Sequence, residues 1–210
     1  MPNGSILSTF GENFLSASQW KNMILKYQKE AISSEAGVPY IYGNDQVHGL
    51  AGCRGAVIFP HNIGIGAAND KELTYQMGLA VADEAKFTGM LWSFSPCLSA
   101  AQDPRWGRTY ESFSSENGMV AELGASYTRG LIDGGLLPCA KHFFADGNVL
   151  YGTGENSEGE KRLIDRGDAK LSEAEIQDLL KVYQAQIDAG VKTIMISHSS
   201  VNGIKMHAND

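Results

Sequence analysis

Short apolar runs that end in polar residues recur along this chain, each following a stretch of helical period, and that order constrains the fold more than any other feature. Residues 38–42, 90–96, 136–144 and 192–197 are largely apolar, and at or just past their ends stand Asn44-Asp45, the segment from Asp103, Lys141-His142 and Ser197-His198. From Ser18, the residues Trp20, Met23, Ile24, Tyr27 and Ala31 share one helical face, and Gly37 supplies a stop. Asp70 caps a second helix carrying Leu73, Met77, Ala80, Val81 and Ala85, with Gly89 at its end. A third spans about residues 114–132 and stops at Gly134-Gly135; a fourth opens on Ser172 with Glu175 three positions on, a capping-box pattern, and closes at Gly190. Alternating strands and helices call for a parallel sheet, and strands that are apolar throughout call for cover on both faces.

Two architectures fit, an open doubly wound sheet and a closed (β/α)8 barrel. Polar residues at every strand end favour the barrel, because its binding groups gather on one rim. A nucleotide-binding open sheet would more often show GxGxxG or GxxxxGK[ST] after its first strand, and neither occurs. Gly64 and Gly66 lack the third glycine and the preceding strand, and read as close-packing or turn positions. A barrel typically needs about 250 residues. With four strands and a fifth near residues 4–7, the expectation is an α/β fold, an incomplete (β/α)8 TIM-type barrel forming one partial domain over residues 1–210. Residues 147–171 are the longest irregular stretch, rich in glycine and charge, and a loop of that length is usually functional or mobile.

Composition removes several classes. A net charge of −7 without a basic stripe argues against nucleic acid. No apolar run approaches the roughly 20 residues of a membrane helix, and residues 1–10 lack the basic flank and apolar stretch of a signal peptide. Cys53, Cys97 and Cys139 are odd in number and widely spaced, so they read as buried thiols rather than a disulfide framework or a zinc site.

The segment DPRWGRTYES, residues 103–112, packs two arginines, two aromatics and two carboxylates beside a helix-breaking run, directly after an apolar strand. Arg108 there offers a fork of donors to a ligand, or a structural ion pair to Glu111 or Glu116. Asp45 can accept hydrogen bonds from vicinal hydroxyls, the way a protein grips a pyranose, or can cap the following turn. Neighbouring strand side chains point to opposite faces, so Lys141 and His142 reach one ligand only where the strand ends or bulges. His61 and His207 have no partner at metal-ligand spacing and read as structural. No GxSxG is present, so a serine nucleophile is unsupported. Paired carboxylates are possible among Asp45, Asp103, Glu111 and Asp146.

Taken in order, GSILS (4–8), VPYIYGNDQVHG (38–49), IFPHNIGIGA (58–67), DPRWGRTYESFS (103–114), AKHFFADG (140–147), DRGD (165–168) and MISHSSVNGIKMHAN (195–209) closely resemble the N-terminal domain of glycoside hydrolase family 3, in its β-glucosidase and exo-β-glucanase branch. The resemblance implies that Asp45, Arg108, Lys141 and His142 hold a glucosyl unit in the non-reducing-end subsite. It implies retaining hydrolysis of terminal β-glucosidic bonds, with β-glucosides or β-glucan oligosaccharides as ligands and no metal or organic cofactor. His198 stands where this branch usually has Tyr or Phe, and is expected to line the subsite. Ala145 and Asp146 in KHFFADG argue against the β-N-acetylglucosaminidase branch, whose loop carries a second histidine; Asp146 is expected to brace the loop instead.

By the same resemblance the nucleophile, an Asp in a Ser-Asp-Trp-type motif, lies beyond Asp210, and the acid Glu lies on a following α/β sandwich domain. No catalytic residue is therefore expected within residues 1–210, Asp210 included, and the chain alone is expected to be inactive. By the resemblance, the family's leading segment before GSILS is likewise expected to be absent from residues 1–210. An extracellular or periplasmic location is expected of the full-length protein. The competing expectation is a non-catalytic glucoside binder, or a vestigial fragment without the nucleophile.

Overall fold

A computed structural model describes residues 4–7, 14–155, 161–162 and 164–208. The reading of Asp210, and part of the 147–171 stretch, lie outside the described residues. Five strands, β1 (Ser5–Leu7), β2 (Ile41–Asn44), β3 (Trp92–Ser93), β4 (Leu137–Phe143) and β5 (Thr193–Ile196), form one sheet in which all neighbours are parallel. Their spatial order is their chain order. A doubly wound sheet reverses order at a switch point; here the order never reverses, and the sheet curls into a half-barrel. The barrel reading of the sequence holds.

Five helices connect or flank these strands: α1 (Ala17–Ser33), α2 (Asn62–Ala68), α3 (Lys71–Thr88), α4 (Asn117–Asp133) and α5 (Glu173–Asp188). The caps follow the sequence closely. The Asp70 carboxylate accepts from the Leu73 N–H at 3.0 Å, and Ser172 with Glu175 completes the capping box of α5. Ser16 with Gln19 forms a second capping box at the start of α1, two residues before the expected Ser18. Gly89 ends α3 with φ of 88°, a left-handed conformation that a side chain would strain.

Three expectations are corrected. Leu73 is 63% exposed, because α3 buries the face that carries Thr74, Met77, Gly78, Val81, Ala82 and Ala85. Val38 is exposed and the strand begins at Ile41, since its pairing with β1 starts only at Ser5. On β5, Ile194 and Ile196 are exposed although the run is apolar, because this strand pairs only with β4 and is the sheet's edge among the described residues. The helix α2 itself was not expected; its glycines masked the helical pattern.

Two clusters make up most of the core. One packs Trp20 and Ile24 of α1 with Tyr40, Tyr42, Met77, Val81 and Leu131; the other packs Leu98, Phe113, Val120 and Leu123 with Leu179, Val182 and Tyr183 of α5. All three cysteines are buried free thiols, as expected. Gly66 on α2 is a close-packing position: a Cβ there would stand 1.6 Å from the Phe113 carbonyl oxygen. Asn62 of the same helix donates to the Glu111 carbonyl at 2.8 Å, so α2 clamps the backbone just past the Arg108 loop.

Gly66→Ala is expected to cost about 1–3 kcal/mol by overpacking, read as a lower urea midpoint at unchanged slope. The open edges carry a second consequence. Leu7, Ile194 and Ile196 expose apolar surface on strands that pair on one side only among the described residues, so residues 1–210 expressed alone are expected to self-associate on a sizing column, whereas Ile194→Lys shifts them towards monomer.

Candidate active site

The C-terminal ends of the strands open onto a cavity of about 560 Å³, lined by Asp45, Trp106, Arg108, Lys141, His142 and His198 among others. These side chains arrive from four strand ends, Trp106 and Arg108 from the loop after β3. Asp45 follows β2, Lys141 and His142 lie on β4, and His198 follows β5. Register accounts for the Lys-His pair. Met195 of β5 pairs with Lys141 and the next residue, Ile196, with Phe143, so His142 is the extra residue of a bulge and the normal alternation of faces is broken there. The Lys141-His142 peptide is cis.

Charge in the cavity is paired. The Lys141 ammonium, whose side chain is 4% exposed, donates to the Asp45 carboxylate. Arg108 makes a fork to Glu111, Nε to Oε1 and Nη2 to Oε2, both at 2.7 Å. Its third arm, Nη1, lies 3.4 Å from His142 Nε2. His142 Nδ1 lies 3.0 Å from Asp146 Oδ2, at ion-pair distance but off the line of a full hydrogen bond. This arrangement fits the neutral tautomer with its proton on Nδ1, leaving Nε2 to accept from Arg108.

Asp146 joins two strand ends. The same carboxylate accepts the hydroxyls of Ser197 and Ser199, the latter at 2.8 Å, so the loop after β4 is tied to the loop after β5. The loop-bracing role read for Asp146 is present. Burial alone would raise its carboxyl pKa, but the His142 contact and the two hydroxyls outweigh burial and hold it below the usual carboxylate range. Glu111 behaves likewise: burial raises it, and Arg108 more than offsets this. A serine triad places the imidazole between carboxylate and hydroxyl; here the carboxylate takes the hydroxyls directly. Burial pushes the Cys97 thiol up to about 11, so it supplies no thiolate.

Asp45, Arg108, Lys141 and His142 are brought together as a connected polar wall. His198 lines the same cavity from the β5 side, exposed, with no hydrogen bond from its ring among the described residues. Arg108 fills both roles weighed for it, lining the cavity and pairing with Glu111. Asp103 does not line the cavity. Its carboxylate grips the Arg105 guanidinium, which lowers it to about 2, and Arg105 lies 3.8 Å over the Tyr151 ring, so the first half of this segment is a clasp and the second half the site. Sequence reasoning gave no role to Trp106, Asp165 or Arg166, all on the cavity wall; the DRGD motif was the available signal for the last two.

A parallel half-barrel that gathers opposed charges around a cavity at its C-terminal rim has the layout of a (β/α)8 fold, whose ligand sites lie on that face. The chain belongs to glycosyl hydrolase family 3: the model of that family's N terminal domain matches residues 3–210. Among proteins similar to it is the lysosomal beta glucosidase of Dictyostelium discoideum, 30% identical over 209 residues, covering 93% of this chain and 24% of the relative. The exo-1,3/1,4-beta-glucanase of a Pseudoalteromonas species superposes with a TM-score of 0.84 at 32% identity, over 97% of this chain and 26% of that one. A beta-glucosidase from Listeria innocua, solved in complex with glucose, gives 0.77 at 28% identity, over 97% and 26%. The chain thus spans about a quarter of the length of these relatives.

Asp146 and Glu111 have folded-state pKa values below their unfolded ones, so the stability they lend is present above roughly pH 4 and is lost as pH falls through the lowered values. Asp146→Asn is accordingly expected to cost about 1–3 kcal/mol at pH 7 and clearly less at pH near 3, measured by urea unfolding at both values. An equal cost at both would mean that the carboxylate charge is not what joins the loops.

Proposed function

We propose that this chain supplies the glucosyl-binding part of a retaining β-glucosidase or exo-β-glucanase, acting on terminal non-reducing β-D-glucosyl residues. The connected wall of Asp45, Arg108, Lys141 and His142 around one cavity carries this reading. In it, the Asp45 carboxylate accepts from vicinal hydroxyls, while Lys141, Arg108 and His142 complete a ring of charged and neutral groups about the sugar. Each cation already has its carboxylate, so a neutral sugar enters without leaving a buried charge unpaired. Such hydrogen bonds strengthen as the ring flattens toward an oxocarbenium-like transition state, which is how binding groups contribute to rate. His198, with Trp106, supplies ring surface at the wall.

The two carboxyl groups of the reaction, a nucleophile and an acid about 5–5.5 Å apart, are proposed to come from chain beyond residue 210. Glu111 and Asp146 are held low and already engaged, the opposite of what a general acid requires. The same observation favours a second reading, a glucoside binder without catalysis. Glucan oligosaccharides are too polar to cross a bilayer unaided, so an extracellular or periplasmic location goes with the first reading.

Thermal unfolding with and without glucose tests the site. Glucose at about a hundred times its Kd is expected to add about 2.7 kcal/mol of stability, and Asp45→Ala is expected to abolish that gain; a gain that survives the substitution would move the subsite elsewhere. Release of glucose from an aryl β-glucoside with retained configuration by the longer gene product separates the enzyme from the binder.

A further inference from the structure

Beside the main cavity lies a smaller one of about 280 Å³, and the two share Asp45, Arg108 and Lys141 as their partition. Aromatic rings form much of its far wall. The His61 ring lies over that of His48, centroids 3.9 Å apart and planes at 37°, and the Tyr110 ring meets His61 edge-on at 4.7 Å. His48 is fixed at both ends: its Nδ1 faces the Phe59 carbonyl at 2.9 Å, and its own carbonyl accepts from the Phe59 N–H at 2.8 Å. His61 precedes α2 at the capping position but makes no side-chain cap bond, so its ring does no work for the helix. Tyr110 lies in a 3-10 turn just after Arg108 and beside Glu111, yet it is 45% exposed while Arg108 and Glu111 turn inward to each other. Three rings are thus grouped at an open, charged rim, and the core does not use them.

We propose that this side cavity is a second sugar subsite, which takes a pyranose carried as a substituent on a hydroxyl of the glucosyl unit in the main cavity. This rests on the glucosyl reading of that cavity. The partition is made of the groups that would bind ring hydroxyls, so a sugar beyond it is joined through one of those hydroxyls and not through the bond to be cleaved. A pyranose has apolar C–H faces and polar edges; its face lies against the exposed Tyr110 ring, which His61 and His48 support from the side, while its edge meets Asp45 and Arg108, a pairing of apolar ring surface with few convergent polar groups. The substrate class extends accordingly beyond terminal glucosyl residues to β-glucosides whose glucosyl unit at the cleaved bond carries another sugar.

Titration calorimetry on the intact protein tests this, with glucose and with α-linked glucobioses joined through each ring hydroxyl in turn, which a β-glucosidase leaves uncleaved. At least one glucobiose is expected to bind tenfold or more tighter than glucose, about 1.4 kcal/mol. Tyr110→Ala and His61→Ala are expected to bring that glucobiose back to the affinity of glucose while leaving glucose unchanged, and Tyr110→Phe is expected to keep the advantage. No glucobiose binding tighter than glucose, or an advantage that survives both alanine substitutions, overturns the subsite and leaves the main cavity's reading intact. Glucose failing to bind at all overturns the main cavity's reading and the subsite with it.

Discussion

Charge compensation at a half-buried rim is the constraint on which the site depends. Lys141 is almost wholly enclosed, and an ammonium removed from water needs a partner; Asp45 supplies it across the sheet from the end of β2. The same need draws Glu111 onto Arg108, while neutral His142 stands between Arg108 and Asp146. These contacts do two things at once. They make the buried cations tolerable and, with the Arg108–His142 contact and the Asp146 bonds to Ser197 and Ser199, they join loops from four strand ends into one wall of fixed geometry. A neutral polyhydroxyl ligand suits such a wall, since it adds hydrogen bonds without disturbing the pairing.

The sheet makes this possible by its order. Parallel strands that never reverse deliver their C-terminal ends to one rim. Helix packing then fixes the loops. The approach of α2 to Phe113, close enough to need Gly66, sets the backbone from which Arg108 and Glu111 reach inward. Buried Tyr183 of α5 donates to the His142 carbonyl at 2.7 Å and steadies the bulged end of β4 from behind. Family membership agrees with this construction.

Much of the fold was legible because it rests on local chemistry. Capping residues such as Asp70 and Ser172 act on N–H groups three positions away, so their effect is written in the sequence. Boundaries of strands were less so: β2 begins where β1 offers a partner, which is a property of the pairing and not of residues 38–40. Leu73 shows the same limit on a helix, since apolar character does not reveal which face a neighbour will cover.

For the site, the residue types and the strand ends that carry them were determined by the sequence alone, as was the condition that Lys141 and His142 share a ligand only at a break in the strand. Which break occurs, a bulge that displaces His142, was decided by the pairing of β4 with β5. Tertiary structure likewise divided the 103–112 segment into an Arg105–Asp103 clasp and an Arg108–Glu111 site, and brought the His61 ring onto His48 and Tyr110. The reason is the same in each case: a charge or a ring on its own has several acceptable partners, and only the folded backbone brings one of them into contact.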